Sequence, residues 1–297
     1  MSLPDWFTQF PELEKGDLVW LRRTLDGAYR NFSREYGDAI ESVFDPLLSF
    51  LVFFEKLLLA TPWWLVIGVI AALSYGASRS WKLCLCVVGA FFFIGYLGMW
   101  EDTMRTMSII LVSTFVAIVF GVPIGILMGN SDRAQKVVTP LLDVMQTMPA
   151  FVYLIPIVML LGIGKVPGLI AVVVYAIPPV IRLTNLGIRL VDKEVLEAST
   201  AFGASRMQRL FGVQIPLAMP NIMAGINQTI MMALAMVVIA SMIGVKGLGQ
   251  PVLQSITNQY FTLGLLNGLA IVALAIIFDR VTQSYAKRTQ QHLRNKP

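Results

Sequence analysis

Few side chains in this sequence have types and spacings suited to covalent or metal chemistry. The two cysteines, Cys84 and Cys86, lie inside an apolar run, which is typical of small buried hydrophobic residues rather than of a disulfide or a metal pair. The single histidine, His292, lies in a basic tail without other metal-binding side chains close by in the sequence. We therefore predict no catalytic residue and no metal site.

The run GIGKV at 162–166 is the segment most like a phosphate-binding loop. Such a loop follows the pattern G-x-x-x-x-G-K-[ST], in which glycine-rich backbone holds the phosphates and the hydroxyl holds Mg²⁺. This run lacks the spacing of the first glycine and lacks the hydroxyl. We expect no ATPase site and no cofactor in this chain, so any ATP and Mg²⁺ must be bound by a partner.

The composition indicates an integral membrane protein. Of the 297 residues, 56% are hydrophobic and 14% are charged, whereas an average soluble domain is about 25% charged. Membrane lipid is the expected environment, and nucleic acid is not an expected partner.

A helix that crosses the hydrocarbon core needs about 20 mostly apolar residues. Seven runs meet this need, so we predict an all-α integral membrane protein with about seven transmembrane helices. They are residues 62–78, 82–100, 104–129, 136–161, 166–190, 220–244 and 261–283.

The basic residues predict the orientation, because cytoplasmic loops are rich in Lys and Arg. One set of alternate loops, together with the C-terminal tail, carries 14 of the 23 basic residues. That set includes the long loop around residue 203, which is therefore predicted to be cytoplasmic. The N-terminus is then outside and the C-terminus inside.

The chain divides into four predicted segments. Residues 1–45 form an acidic extracytoplasmic tail, and residues 285–297 a basic cytoplasmic tail. Residues 46–61 are apolar but interrupted by Glu55 and Lys56, charges that are costly inside a span. We interpret them as an amphipathic helix in the outer interface, with an eighth span as the alternative. Residues 62–284 form the transmembrane domain.

The cytoplasmic loop at 192–220 is polar and alanine-rich. Glu194 to Phe202 favours a helix, and Gly203 can adopt the left-handed conformation that ends one. Ser205 followed by Gln208 has the form of a capping box and predicts a second helix. We expect Pro216 and Pro220 to close that second helix.

This loop resembles the EAA loop of ABC importer permeases. The run Glu197-Ala198-Ser199, three residues, Gly203, nine residues, then Val213-Gln214-Ile215-Pro216 follows that family's pattern with unbroken spacing. Ser199, Val213 and Ile215 replace the usual Ala, Ile and Leu. The resemblance implies a type I importer permease fold and a coupling role for the loop. The residues to which the resemblance gives this coupling role are Glu197, Ala198, Ser199, Gly203, Ser205, Ile215 and Pro216.

Residues 60–285 resemble in particular the permeases of glycine betaine/proline importers, which move quaternary ammonium solutes. The resemblance implies a bacterial cytoplasmic (inner) membrane, with two ATP-binding subunits inside and a substrate-binding protein outside. Each of the two ATP-binding subunits needs one EAA loop, and this chain has one. We therefore expect a second copy of this chain in the assembly, as a homodimer. The expected substrates are glycine betaine, choline, carnitine or a related solute.

Prolines in spans four and five predict the translocation pathway. Each removes a helical donor and frees a carbonyl, which membranes tolerate beside a cavity or a compensating neighbour. The aromatic residues near them could attract a quaternary ammonium ion through their ring faces, although such residues often serve only in packing. The candidate residues are Met145, Gln146, Met148, Pro149, Phe151, Tyr153, Pro156, Tyr175, Pro178 and Pro179.

Three alternatives remain open at this point. The first is an ABC permease for histidine or another amino acid. The second is an ion-coupled carrier, which would need titratable groups within its spans. Only Asp143 qualifies, and we interpret it as pairing with a basic residue or a backbone donor. The third concerns the outer run IGVKGLGQPV at 243–252, which either contacts the binding protein or is a plain re-entrant turn.

Overall fold

The computed structural model describes the backbone of residues 13–294 and the side chains of residues 13–286. This part of the chain is helical throughout, without strands, which confirms the predicted all-α fold class. The helices are α1 (Lys15–Ala60), α2 (Trp63–Ser78), α3 (Trp81–Tyr96), α4 (Trp100–Asn130), α5 (Asp132–Thr147), α6 (Ala150–Leu161), α7 (Lys165–Ala176), α8 (Pro178–Arg189), α9 (Lys193–Ala201), α10 (Arg206–Arg209), α11 (Ile215–Ala240), α12 (Gly249–Asn258) and α13 (Phe261–Arg294).

Four helical stretches in this part of the chain are long and apolar enough to cross a membrane. They are Trp100–Asn130, Lys165–Arg189, Arg206–Ile243 and Phe261–Ala286, and the number rises to six if each of two bent helix pairs is one span. The apolar helix α3, with 16 residues, is shorter than a full span. The architecture thus approaches the predicted seven spans, although the predicted span at 136–161 is bent into two helices.

The predicted boundary between an acidic tail and a separate helix at 46–61 is wrong. A single helix, α1, runs unbroken for 46 residues from Lys15 to Ala60, with Pro46 inside it. It ends at Thr61, which precedes Pro62 and is therefore extended, and the chain then turns by 109° into α2. The first 12 residues of the predicted tail lie outside the described residues. At the other end, α13 continues to Arg294, past the predicted boundary at 284/285.

The predicted fourth span at 136–161 is also not one helix. Met148 precedes Pro149, a position in which helical backbone is disfavoured, and it adopts an extended conformation with ψ 133°. Helix α5 therefore ends at Thr147, and α6 leaves at an angle of 98° to it. The pair is either a broken span or a re-entrant segment.

Close packing of α4, α8 and α11 forms the centre of the fold. Glycines at intervals of four on α4 let α8 approach closely. A side chain at these glycine positions would not fit between the two helices. A Cβ on Gly121 would lie 2.5 Å from Val180 Cγ1, and one on Gly125 would lie 2.7 Å from the Ile181 carbonyl oxygen. Small residues at this spacing are the usual basis of close helix contact within membranes.

The end of the bundle opposite the 192–220 loop is held by polar contacts. The backbone N–H of Leu248 donates to the Thr106 hydroxyl at 2.9 Å in a buried position. Glu55 of α1 is 9% exposed, and it pairs with Lys165 at 2.6 Å and with Arg105 at 4.0 Å. A charge that would be costly in lipid is thus neutralised by the ends of α4 and α7.

Candidate functional site

Helix α9 forms the first half of the 192–220 loop and lies on the surface. Asp192 caps it by accepting the N–H of Glu194 at 2.9 Å. The helix has no buried residue. In this chain alone it therefore gains nothing from core packing, as expected for an element that meets a partner.

Gly203 ends this helix as predicted. Its φ is +80°, in the left-handed region, where residues with a side chain are disfavoured. The N–H groups of Gly203 and Ala204 close the turn by donating to the carbonyls of Thr200 and Ser199, at 2.9 and 3.1 Å. No atom lies within 4 Å of a Cβ built on Gly203, so its constraint comes from the backbone alone.

The predicted capping box starts the second helix of the loop. The Ser205 hydroxyl accepts the N–H of Gln208 at 3.3 Å, and the Gln208 side-chain oxygen accepts the N–H of Ser205 at 2.8 Å. Arg209 then donates to the Thr200 hydroxyl at 3.1 Å. This bond links α9 to the end of α10.

The expectation that Pro216 and Pro220 close this helix is wrong, since it continues through both into α11. One wide turn at Leu210–Gln214 makes this possible, in which the Ile215 N–H bonds to the carbonyl five residues earlier, at Leu210. A proline ring crowds the carbonyl four residues before it, and such a widened turn gives room where an ordinary one would not. Ile215 and Pro216 thus connect the loop rigidly to a membrane-spanning helix.

Arg189 fixes the other end of the loop. It donates to the Met128 carbonyl at 2.8 Å and pairs with Asp132 at 2.8 Å. The last turn of α8 is thereby tied to the junction between α4 and α5. The segment that leads into the loop is therefore held by contacts with α4 and α5.

An apolar patch on the loop was missed by reasoning from the sequence. Phe202 is 92% exposed, Met207 63% and Phe211 61%. Glu197 and Ala198 of the same loop are also exposed. Large exposed apolar side chains in a polar segment are typical of a protein interface. The signal in the sequence was the presence of Phe and Met in an otherwise polar loop. Ser199 is half-buried, and its hydroxyl donates to the Leu196 carbonyl at 2.8 Å.

Part of the predicted pathway set comes together at the bend between α5 and α6. The Tyr153 hydroxyl donates to the Met145 carbonyl, and the rings of Tyr153 and Tyr175 meet edge to face, with centroids 6.4 Å apart. Pro149 is the N-cap of α6 at the bend. Tyr153 is buried, and Met145 and Tyr175 are half-buried.

The remaining candidates do not join this group. Gln146 and Phe151 are exposed and Met148 is half-buried. Pro156 lies within α6, where its carbonyl accepts the Tyr29 hydroxyl of α1. Pro178 and Pro179 are buried at the start of α8, and a Cβ on Gly225 of α11 would lie 3.3 Å from the Pro179 carbonyl oxygen. In this chain the proline pair is a packing element between α8 and α11.

Asp143 of α5 and Asp279 of α13 are carboxylates on membrane-associated helices. Asp143 pairs with Arg182, the kind of partner that was expected. Asp279 lies in the spanning part of α13 and was not among the candidates predicted from the sequence. Its carboxylate accepts from the side-chain amides of Asn227, at 2.8 Å, and Gln283, at 2.6 Å.

Comparison with known proteins places this geometry in context. Residues 121–291 match the family described as binding-protein-dependent transport system inner membrane component. The chain is 46% identical over 268 residues to the glycine betaine/proline betaine transport system permease protein ProW of Escherichia coli (strain K12), covering 90% of this chain and 74% of ProW. It is 41% identical over 276 residues to the glycine betaine/carnitine transport permease protein GbuB of Listeria monocytogenes serotype 1/2a (strain 10403S), covering 91% of this chain and 95% of GbuB.

A solved structure has the same fold. The MetNI methionine ABC transporter, in an inward-facing conformation, superposes with a TM-score of 0.57 at 20% sequence identity, covering 62% of this chain and 93% of the MetNI chain. The predicted type I importer permease fold is confirmed by this likeness.

Proposed function

The chain belongs to the family of binding-protein-dependent transport system inner membrane components, and from this premise we propose that it is the permease subunit of an ATP-driven importer for glycine betaine and related quaternary ammonium solutes. Relatives that carry glycine betaine, proline betaine and carnitine support this substrate class. Choline is a further candidate, because it has the same trimethylammonium group.

The single observation that carries the proposal is the construction of the 192–220 loop. It presents Phe202, Met207 and Phe211 to the aqueous side while its second helix runs on without a break into α11. We propose that an ATP-binding subunit docks on this patch and that movement of α9 and α10 is transmitted along α11. Two such subunits, binding ATP and Mg²⁺, would act on two copies of this chain, each of which supplies one loop.

In this proposal the loop faces the cytoplasm, and α1 lies on the extracytoplasmic side of the membrane. The support is the concentration of basic residues at the loop end of the bundle. Helix α1, about 70 Å long, exposes Trp20, Leu25 and Val43 by 66%, 62% and 71%. We propose that it lies in the outer membrane interface along its length, as was expected only for 46–61. An extracytoplasmic substrate-binding protein would approach from this side.

Solute passage is proposed to follow the bend between α5 and α6. A trimethylammonium group cannot donate a hydrogen bond from nitrogen, so it is attracted instead to aromatic faces. Tyr153 and Tyr175 supply two such rings at the bend. Of the other predicted pathway residues, Met145 and Pro149 lie at the same bend.

Copurification with the ATP-binding subunit tests the docking proposal. Wild type, Phe202→Asp and the control Tyr260→Asp are each coexpressed with that subunit and purified through a tag on this chain. Tyr260 is also well exposed, at 59%, but lies at the opposite end of the bundle. We expect the subunit to be retained by wild type and by the control and lost from Phe202→Asp. Equal retention by all three would exclude the loop as the docking surface.

A further inference from the structure

A groove between α3 and α13 lies apart from both the loop and the bend. It has a volume of about 240 Å³ and is lined by Leu83, Cys86, Val87, Ala90, Ala273, Ile276, Ile277 and Arg280. Seven of these eight residues are apolar, and the eighth is an arginine. Small side chains such as Ala90 and Ala273 leave the groove open toward the surrounding lipid.

The basic charge is confined to one end of the groove. Helices α3 and α13 are antiparallel along it, so Leu83 and Arg280 lie at one end and Ala90 and Ala273 at the other. Lys82 is exposed and lies one helical turn before Cys86, on the same face of α3. The basic end thus has two cations, and it is the end of the bundle nearer the 192–220 loop.

Arg280 has no carboxylate to neutralise it within the described side chains. None of the ion pairs in residues 13–286 includes it. The adjacent Asp279 is turned toward α11, where it accepts from Asn227. Arg280 is exposed, and it lies six residues before the end of the apolar stretch at Ala286. Its long side chain can therefore reach the headgroup level.

We propose that this groove binds an anionic phospholipid. One acyl chain lies along the apolar wall between α3 and α13, and the phosphate contacts Arg280 with support from Lys82. An apolar groove with unpaired basic side chains at its headgroup end matches that chemistry, whereas a zwitterionic lipid carries a compensating positive charge. The lipid belongs to the cytoplasmic leaflet if the orientation proposed above holds, and the site is independent of the solute transported.

Photo-crosslinking in nanodiscs tests the proposal on the full-length chain assembled with its ATP-binding subunits. Phosphatidylglycerol and phosphatidylcholine, each with a diazirine on the acyl chain, are compared by mass spectrometry of the peptides that contain residues 81–90 and 270–280. We expect about fivefold more labelling by phosphatidylglycerol in wild type, the size expected for one basic residue near an anionic headgroup. Arg280→Gln should bring the ratio close to one, while Arg280→Lys and Arg133→Gln should keep it. Arg133 is an exposed arginine near the same end of the bundle, on α5.

A second variant tests the apolar part of the groove independently of the basic residues. Ala273→Leu fills the groove without altering any charge, and it should reduce labelling of both peptides by either lipid at least severalfold. Equal labelling by the two lipids in wild type would overturn the proposal, as would an unchanged ratio in Arg280→Gln or unchanged labelling in Ala273→Leu. The readout does not involve transport, so such a failure would leave the proposed function intact.

Discussion

The hydroxyl of Tyr153 donates a hydrogen bond to the backbone carbonyl of Met145. In an unbroken helix that carbonyl would accept the N–H of residue 149, but residue 149 is a proline and has none. Tyr153, four residues further on, supplies the missing donor from its side chain. The bend between α5 and α6 is thus stabilised by one aromatic residue that also contacts Tyr175.

Replacement of this tyrosine tests its bracing role. We expect Tyr153→Phe to lower the free energy of unfolding by about 1–3 kcal/mol, because the Met145 carbonyl loses its donor in a partly buried place. Tyr175→Phe is the matched control, since the Tyr175 hydroxyl makes no hydrogen bond to the described part of the chain. The measurement is chemical denaturation of the purified protein in detergent. Equal stability of the two variants would show that the hydroxyl does not brace the bend.

Glycine-to-alanine changes on α4 and on α3 are expected to have opposite effects on stability. Gly125→Ala would place a Cβ 2.6 Å from Thr184 Cβ and 2.7 Å from the Ile181 carbonyl oxygen, so overpacking should destabilise the protein by about 1–3 kcal/mol. Gly89→Ala on α3 meets no atom within 4 Å and should stabilise its helix by about 0.5–1 kcal/mol. Thermal unfolding in detergent distinguishes the two. A neutral Gly125→Ala would mean that α4 and α8 are not in close contact.

Features determined by neighbouring residues could be predicted from the sequence. The left-handed Gly203 and the Ser205–Gln208 capping box depend on backbone and side-chain chemistry within a few positions, and both are present. The family resemblance of the loop rested on the same short-range spacing.

Features that depend on distant contacts were predicted less well. Glu55 looked like an interruption because its partners, Lys165 and Arg105, lie far away in sequence. Pro216 looked like a helix end because the wide turn before it has no clear sequence signal. Of the pathway residues, Met145, Pro149, Tyr153 and Tyr175 come together at the bend. Pro178 and Pro179 instead pack against α11 through contacts that only the tertiary fold shows.

Replacement of Gly203, the left-handed glycine of the loop, is expected to impair coupling between ATP hydrolysis and transport. Gly203→Val should strain the turn by about 1–2 kcal/mol and shift α10 relative to α9, while insertion and folding of the spans remain. Gly203→Asn is the control, because asparagine tolerates this conformation. We expect solute-stimulated ATP hydrolysis by the assembled complex to fall for valine and to stay close to wild type for asparagine. Full stimulation with valine at this position would exclude a coupling role for the turn.

The orientation is tested by cysteine labelling in intact cells. Cys84 and Cys86 are first replaced by alanine, and single cysteines are then introduced at Glu35 of α1 and at Ser205, both exposed positions. An impermeant maleimide should label position 35 at once and position 205 only after the cells are disrupted. The reverse pattern would place α1 in the cytoplasm and remove the basis for docking the ATP-binding subunit on the loop.

Uptake by the complete importer tests the central claim most directly. Proteoliposomes contain this chain with its ATP-binding subunit inside and its binding protein outside, and they are given radiolabelled glycine betaine, choline or histidine with ATP in the lumen. We expect ATP-dependent uptake of glycine betaine, with choline as a further substrate and no uptake of histidine. Tyr153→Ala and Tyr175→Ala should slow betaine uptake without changing the affinity of the binding protein for betaine. Uptake of histidine without uptake of either ammonium solute would contradict the proposed function.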